Sequence, residues 1–174
     1  VDNMLRNIII ISIIVYFLPL NLVANNNQKE FCNINKKYSD LSKKTSKDLK
    51  LQLYKRKRKK ELSKFDYEFL NWAGKIEEID SVGDEYAYVS ISVCKNVTIK
   101  TWNNEFSDMM DKSLIHIDTE LYEILLDLEK GNSVITSGSF TESDSDYFQE
   151  TSITNKGSLS EPEYLVKFSN IQGG

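Results

Sequence analysis

The segment Thr101-Trp102-Asn103-Asn104-Glu105-Phe106-Ser107-Asp108 gathers two aromatic rings, two carboxamides and two acids into eight residues. Rings stack, amides orient a ligand through paired donors and acceptors, and a carboxylate fixes a cation or a hydroxyl, so the mixture suits a ligand or peptide groove. Trp102, Asn103, Asn104, Phe106 and Asp108 are the candidate binding surface. The competing reading is structural: the two rings close the end of a core while Asn103-Asn104 turns the chain. A second feature is Lys55-Arg56-Lys57-Arg58-Lys59-Lys60, six consecutive cations. Such a block meets the phosphates of nucleic acid or of lipid, docks on acidic protein, or lies as a solvated helix face.

The remaining titratable groups offer little. His116 is the only histidine, set between Ile115 and Ile117, and no second imidazole exists to share a metal. Glu142, Asp144 and Asp146 alternate through a serine-rich stretch that lacks the glycine and terminal glutamate of a calcium loop, so a solvated loop is expected. Nucleophile-elbow, zincin, phosphate-loop and Cys-x-x-Cys patterns do not occur. A hydrolase would have to run on Asp108, Asp118 or His116, and the expectation is a non-enzyme with no cofactor and no metal.

Cys32 and Cys94 are the only cysteines. In an exported chain a lone pair reads as a disulfide; in a reducing compartment it reads as two thiols, and the spacing fits no zinc motif. The N-terminus bears on which compartment applies. Arg6 precedes a nearly unbroken apolar run from Ile8 to Leu20, and Leu22-Val23-Ala24 offers a small residue for cleavage, with Met4 as the start. Residues 1–24 therefore read as a signal peptide, or else as an uncleaved anchor, since Ile8 to Ala24 is just long enough to span a bilayer. In the second case Lys29, Lys36 and Lys37 would hold the following chain on the cytoplasmic side. The localisation expected is exported, periplasmic or membrane-associated.

Charge divides the rest. Between Lys36 and Lys64 there are 13 Lys or Arg against three acids, whereas from Phe65 onward there are 7 Lys against 21 acids. The first part, 25–68, has no Gly or Pro between Tyr38 and Leu70, and its Leu41, Leu49, Leu53, Leu62 and Phe65 are spaced irregularly, which predicts a weakly amphipathic basic helical segment. The second part, 69–171, changes to period two, with a three-residue tail at 172–174. Asn71–Ile79 reads as a first strand bent at Gly74, and Ala87, Val89, Ile91 and Val93 alternate with polar residues in a second. Val97, Ile99 and Thr101 mark a third. Leu121, Ile124, Leu125 and Leu128 then fall on one helical face, with Asp118 as N-cap and Gly131 at the end. Ser133–Phe140 and a run around Tyr164, Val166 and Phe168 give strands four and five. The fold class expected is mainly β: a five-stranded OB-fold-like Greek-key barrel with a helix between strands 3 and 4, preceded by the basic helical segment.

Trp72-Ala73-Gly74-Lys75-Ile76, Ile99-Lys100-Thr101-Trp102-Asn103-Asn104, Leu128-Glu129-Lys130-Gly131-Asn132-Ser133-Val134 and Glu161-Pro162-Glu163-Tyr164 together resemble bacterial exported OB-fold proteins of the anticodon-binding-like (tRNA_anti-like) family. The resemblance runs from about Phe69 to Ile171. It implies the fold and carries no catalytic residue across. An acidic barrel repels a polyanion, so nucleic acid is a poor partner for it and is reachable only through the basic arm. The function expected is an exported binding or adaptor module for a protein or small ligand, with an anionic membrane surface as a further partner. The alternative is a membrane-anchored nucleic-acid-binding protein.

Overall fold

The computed structural model describes residues 26–174, so the expected signal or anchor at 1–24 lies outside the described residues. The chain begins with two helices, α1 (Asn26–Ser42) and α2 (Asp48–Leu62), and then enters β1 (Glu68–Val82), β2 (Tyr86–Cys94) and β3 (Val97–Lys100). A one-turn helix α3 (Glu105–Asp108), a short strand β4 (Ile115–His116) and helix α4 (Glu120–Leu126) follow. The chain finishes with β5 (Ser133–Phe140), a small hairpin of β6 (Glu142–Ser143) and β7 (Tyr147–Phe148), helix α5 (Asn155–Ser160) and β8 (Glu163–Gly173).

The fold is mixed α/β: a six-stranded sheet curled into a partly closed ring, with the N-terminal helices packed on it. The strand order is β1-β5-β8-β3-β2-β4, and β1 also pairs with β2, which brings the ring round on itself. One 15-residue strand serves both neighbours in turn: Glu68–Lys75 faces β5 and Lys75–Val82 faces β2. The change of partner falls at Lys75, next to Gly74, where a Cβ would sit 2.4 Å from Ile91 Cγ2. Only a residue without a side chain admits the second strand so closely, as the sequence leads one to expect. All ladder pairs are antiparallel except β3 with β8.

The helices are not an arm beside this ring. Phe31, Ile34, Asn35, Tyr38, Ser39 and Ser42 of α1 are buried at helical spacing. Phe31 lies 4.9 Å from the Trp72 ring, 5.5 Å from Phe140 and 5.3 Å from Tyr164, so a single aromatic cluster joins α1 to the interior of the ring. Such pairs add to the energy of burial itself. Two differences from the expected helices have local causes. The basic segment breaks at Lys43–Lys47, where the Thr45 hydroxyl accepts from the Lys47 amide and offers the backbone a partner other than a helical carbonyl. The cap of α4 is Thr119, whose hydroxyl accepts from the Tyr122 amide, in place of Asp118, which lies one residue too early.

Cys32 and Cys94 are bridged, with Cα atoms 6.0 Å apart. The bridge ties α1 to the end of β2 and closes a separation of 62 residues. In the chain-entropy picture a loop of that length is worth about 4 kcal/mol at most, and typical bridges give about 2–4 kcal/mol. Replacing both cysteines by serine is expected to lower unfolding free energy by about 2–4 kcal/mol in urea titration.

The tyrosines set an alkaline limit. Burial pushes the phenol of Tyr38 well above its ordinary value, aided by its hydrogen bond to Glu61; burial also raises Tyr88, beside Glu78, and the fully enclosed Tyr164. A group whose pKa is raised on folding supports the folded state below its unfolded pKa, about 10 for Tyr, and withdraws that support as pH climbs past it. Burial, aided by Glu142, also pushes Tyr67 up to about 12. The expected result is that phenolate absorbance titrates in two stages, with these four tyrosines ionising in the later one, as the chain unfolds.

Candidate functional site

Of the six consecutive cations, three point inward. Lys55, Arg58 and Lys59 occupy positions i, i+3 and i+4 and so share one face of α2 with the buried Leu51 and Leu62. Arg58 is 0% exposed. Its guanidinium donates to the Ser158 carbonyl, pairs with Asp146 at 3.5 Å and lies over the Tyr164 ring, 5.7 Å from its centre. Lys55 reaches the same carboxylate at 3.3 Å, and Lys59 donates to the Asp144 carbonyl. The acidic stretch expected as a solvated loop is thus the β6–β7 hairpin on which the basic helix docks. The opposite charges of the two halves of the chain meet here. Arg56, Lys57 and Lys60 stay on the solvent side.

Beside them, α1 and α2 frame an open groove of about 400 Å³ lined by Lys37, Tyr38, Leu41, Tyr54, Lys57, Lys60, Glu61 and Lys64. Glu61 is its one acid. Burial would raise that carboxyl, but hydrogen bonds from Lys37 and Tyr38, each at 2.6 Å, outweigh burial and hold it below the ordinary glutamate range. A depressed carboxyl lends stability above its unfolded pKa of about 4.3 and loses it as pH falls through the folded value. The α1–α2 junction is therefore expected to loosen first on acidification, with hydrogen exchange in α2 rising before exchange in β5.

At the Trp102–Asp108 segment the structure divides the candidates. Asn104 caps α3, its side-chain oxygen accepting from the Ser107 amide at 2.8 Å. Asp108 is buried, and its carboxylate accepts from the amide and hydroxyl of Ser113, each at 2.6 Å, and from the Leu114 amide at 3.2 Å. Trp102 donates from its indole to Asp111 at 2.7 Å, while its backbone amide donates to Ser113. These three residues fix the loop. Asn103 is exposed with its side chain against Asn104. Phe106 alone among the five projects as an apolar surface, 84% exposed, and beside it stand Met109 and Met110, the latter 88% exposed.

Sequence reasoning missed the two methionines. The available signal was their adjacency to Phe106 in a run with no apolar periodicity, which leaves a large side chain no core to enter. The surroundings are acidic: Glu105 lies against the turn at Gly83, Asp111 borders the loop, and Glu85 and Asp118 flank His116 at 4.0 and 3.5 Å. Lys112 is the cation among them. A hollow of about 550 Å³ beside the tip is lined by Tyr86, Glu105, Asp108, Met109, Lys112, Leu114 and His116. His116 accepts the Asp118 amide on Nδ1 and packs edge-on against Tyr86. Among the described residues no group of three or more His, Cys, Asp or Glu is placed to hold a metal ion, and no helix is long and apolar enough to cross a membrane.

Comparison of the chain with protein families, with curated proteins and with solved structures finds no match in any of the three. The class of protein is therefore defined by the fold and surfaces themselves: a mixed α/β domain with a partly closed ring, a basic helical layer at one end and a fixed apolar tip at the other.

Proposed function

We propose that this chain is an exported adaptor on an OB-fold-like barrel, and that its α3 tip docks a protein segment carrying one apolar side chain among basic residues. The fold reading is supported by the circuit of the five long strands, β1-β2-β3-β8-β5 and back to β1, with its one parallel pairing and with α4 between the third and fourth of them. Export is supported by the apolar run at 8–20 and by the Cys32–Cys94 bridge, which suits an oxidising compartment.

The observation that carries the docking reading is that Phe106, Met109 and Met110 stand exposed on a loop held by Asn104, Asp108 and Trp102. A slack loop would let such side chains fold inward; a fixed one keeps them out at a cost in exposed apolar surface that only a partner recovers. Methionine adapts to the shape of what it meets. The acidic rim selects a basic flank on that partner by complementary charge. The other reading, nucleic-acid binding through Lys55–Lys60, has half of its cations engaged on Asp144, Asp146 and Ser158.

The test is binding to a peptide array in which Phe, Leu or Trp sits between lysines, with serine in the central position as control. Binding to the apolar peptides, lost on F106S/M110S and weakened by salt, is expected. Equal binding of wild type and F106S/M110S, or equal binding of the serine peptides, would sink the docking role of the tip.

A further inference from the structure

The solvent side of α2 combines two kinds of residue that are rarely useful together in water. Leu49 is 82% exposed, Leu53 is 46% exposed, and at four residues apart they share one helical face with Arg56 and Lys60, while Lys57 lies just beside it. Ile153, fully exposed, belongs to the same area, because Asn155 donates to Asp48 at 2.9 Å and so ties the start of α5 to the first turn of α2. Two leucines thus share a face with cations that have no ion-pair partner among the described residues, Ile153 is exposed near the first turn of the same helix, and the lysine-lined groove between α1 and α2 opens alongside.

We infer that this surface is a peripheral membrane contact, with Leu49, Leu53 and Ile153 entering the interface of an anionic bilayer and Arg56, Lys57 and Lys60 meeting its phosphates. Exposed leucines beside lysine and arginine are the composition of a helix that lies in a membrane interface. A nucleic acid would use the cations but gains nothing from aliphatic side chains, since bases stack on aromatic rings. Charge also fixes the orientation. The ring, with its 21 acids against 7 lysines from Phe65 onward, is repelled by the same lipids that attract the helices, so the molecule lies with α2 down. β2 runs from its pairing with β4 at Tyr86 to the bridge with α1 at Cys94, about 26 Å at ~3.3 Å per residue, so the β4 end beside the α3 tip stands about a strand's length from the bridge to α1. This contact stands independently of what the tip binds.

The experiment places a photo-reactive benzophenone side chain at position 53, at 153 or at 106 of the full chain, and measures lipid adducts on phosphatidylcholine vesicles with or without about a third phosphatidylglycerol. Adducts from 53 and 153 on the anionic vesicles are expected, with yields at 106 near background. Yield at 53 falls at least roughly 30-fold on K57E/K60E, since each cation near the surface contributes about a fivefold gain. All these positions are exposed, so the variants keep the fold, which circular dichroism checks. Equal yields at 53 and 106, insensitivity to lipid charge, or an RNA oligonucleotide that displaces the lipid and is itself cross-linked from position 53 would each overturn the inference.

Discussion

Arg58→Ala is expected to lower unfolding free energy by about 3–5 kcal/mol, the range for breaking a buried charge pair by removing one partner. The guanidinium is fully enclosed and has three neighbours: the Asp146 carboxylate, the Ser158 carbonyl and the Tyr164 ring. Its removal strands the carbonyl, leaves Asp146 with Lys55 as its remaining cation, and opens a cavity between α2 and α5. Lysine does not rescue the site, because one ammonium cannot span the planar fork that reaches both Asp146 and Ser158. Arg56→Ala, two residues away on the solvent side, is expected to stay within about 0.5 kcal/mol of wild type. Urea titration of the three variants reads the contrast directly, and equal midpoints for Arg58→Ala and Arg56→Ala would contradict it.

Phe31→Ala should cost a similar amount, about 3–5 kcal/mol, as for other large aromatic-to-alanine changes in a core. The consequence goes beyond a cavity. Phe31 sits in a helix that could pass for a detachable arm, yet its ring packs against Trp72, Phe140, Phe148 and Tyr164 from four separate strands. Loss of that ring weakens the whole molecule, so the helical far-UV signal and the aromatic near-UV signal are expected to melt together at one lower temperature. Early loss of helix with the near-UV transition unmoved would mean that α1 is an appendage.

Much of the ring was legible because its strands carry their own punctuation. The fourth long strand, Ser133–Phe140, follows Lys130-Gly131 and has the bounds its pattern suggests, and Ala87, Val89, Ile91 and Val93 alternate as a strand with a buried interior does. Gly74 marked the close approach of β2 to β1, since a side chain there would meet Ile91, while the irregularities of β1 fall to either side, at Phe69–Trp72 and Ile76–Glu78. What sequence could not supply was the partnership between distant segments. Arg58 lies in a run of six cations and nothing local distinguishes it from Arg56; its burial follows from Asp146 and Ser158, 88 and 100 residues away. Those same contacts turn an acidic loop into a docking hairpin. The short elements β4, β6 and β7 have two residues each and no period to read.

The candidate surface shows the same division. Side chains that hold the loop and side chains that the loop displays are adjacent in sequence, and only their hydrogen bonds separate them. Asp108 has the look of a ligand group until three donors from Ser113 and Leu114 occupy it. Phe106 has the look of a core residue until it is found outside. Once the loop is fixed, its apolar side chains stabilise nothing in the chain itself, which is the physical ground for assigning them to a partner.

The most direct test of that assignment is the rate at which peroxide converts Met109 and Met110 to their sulfoxides, followed by peptide mass spectrometry in intact producing cells and in the purified protein. Strong protection in cells that vanishes on purification, and that is lost in cells when Phe106 is replaced by serine, is the result expected of a tip covered by a partner. Equal oxidation rates in the two settings would contradict it.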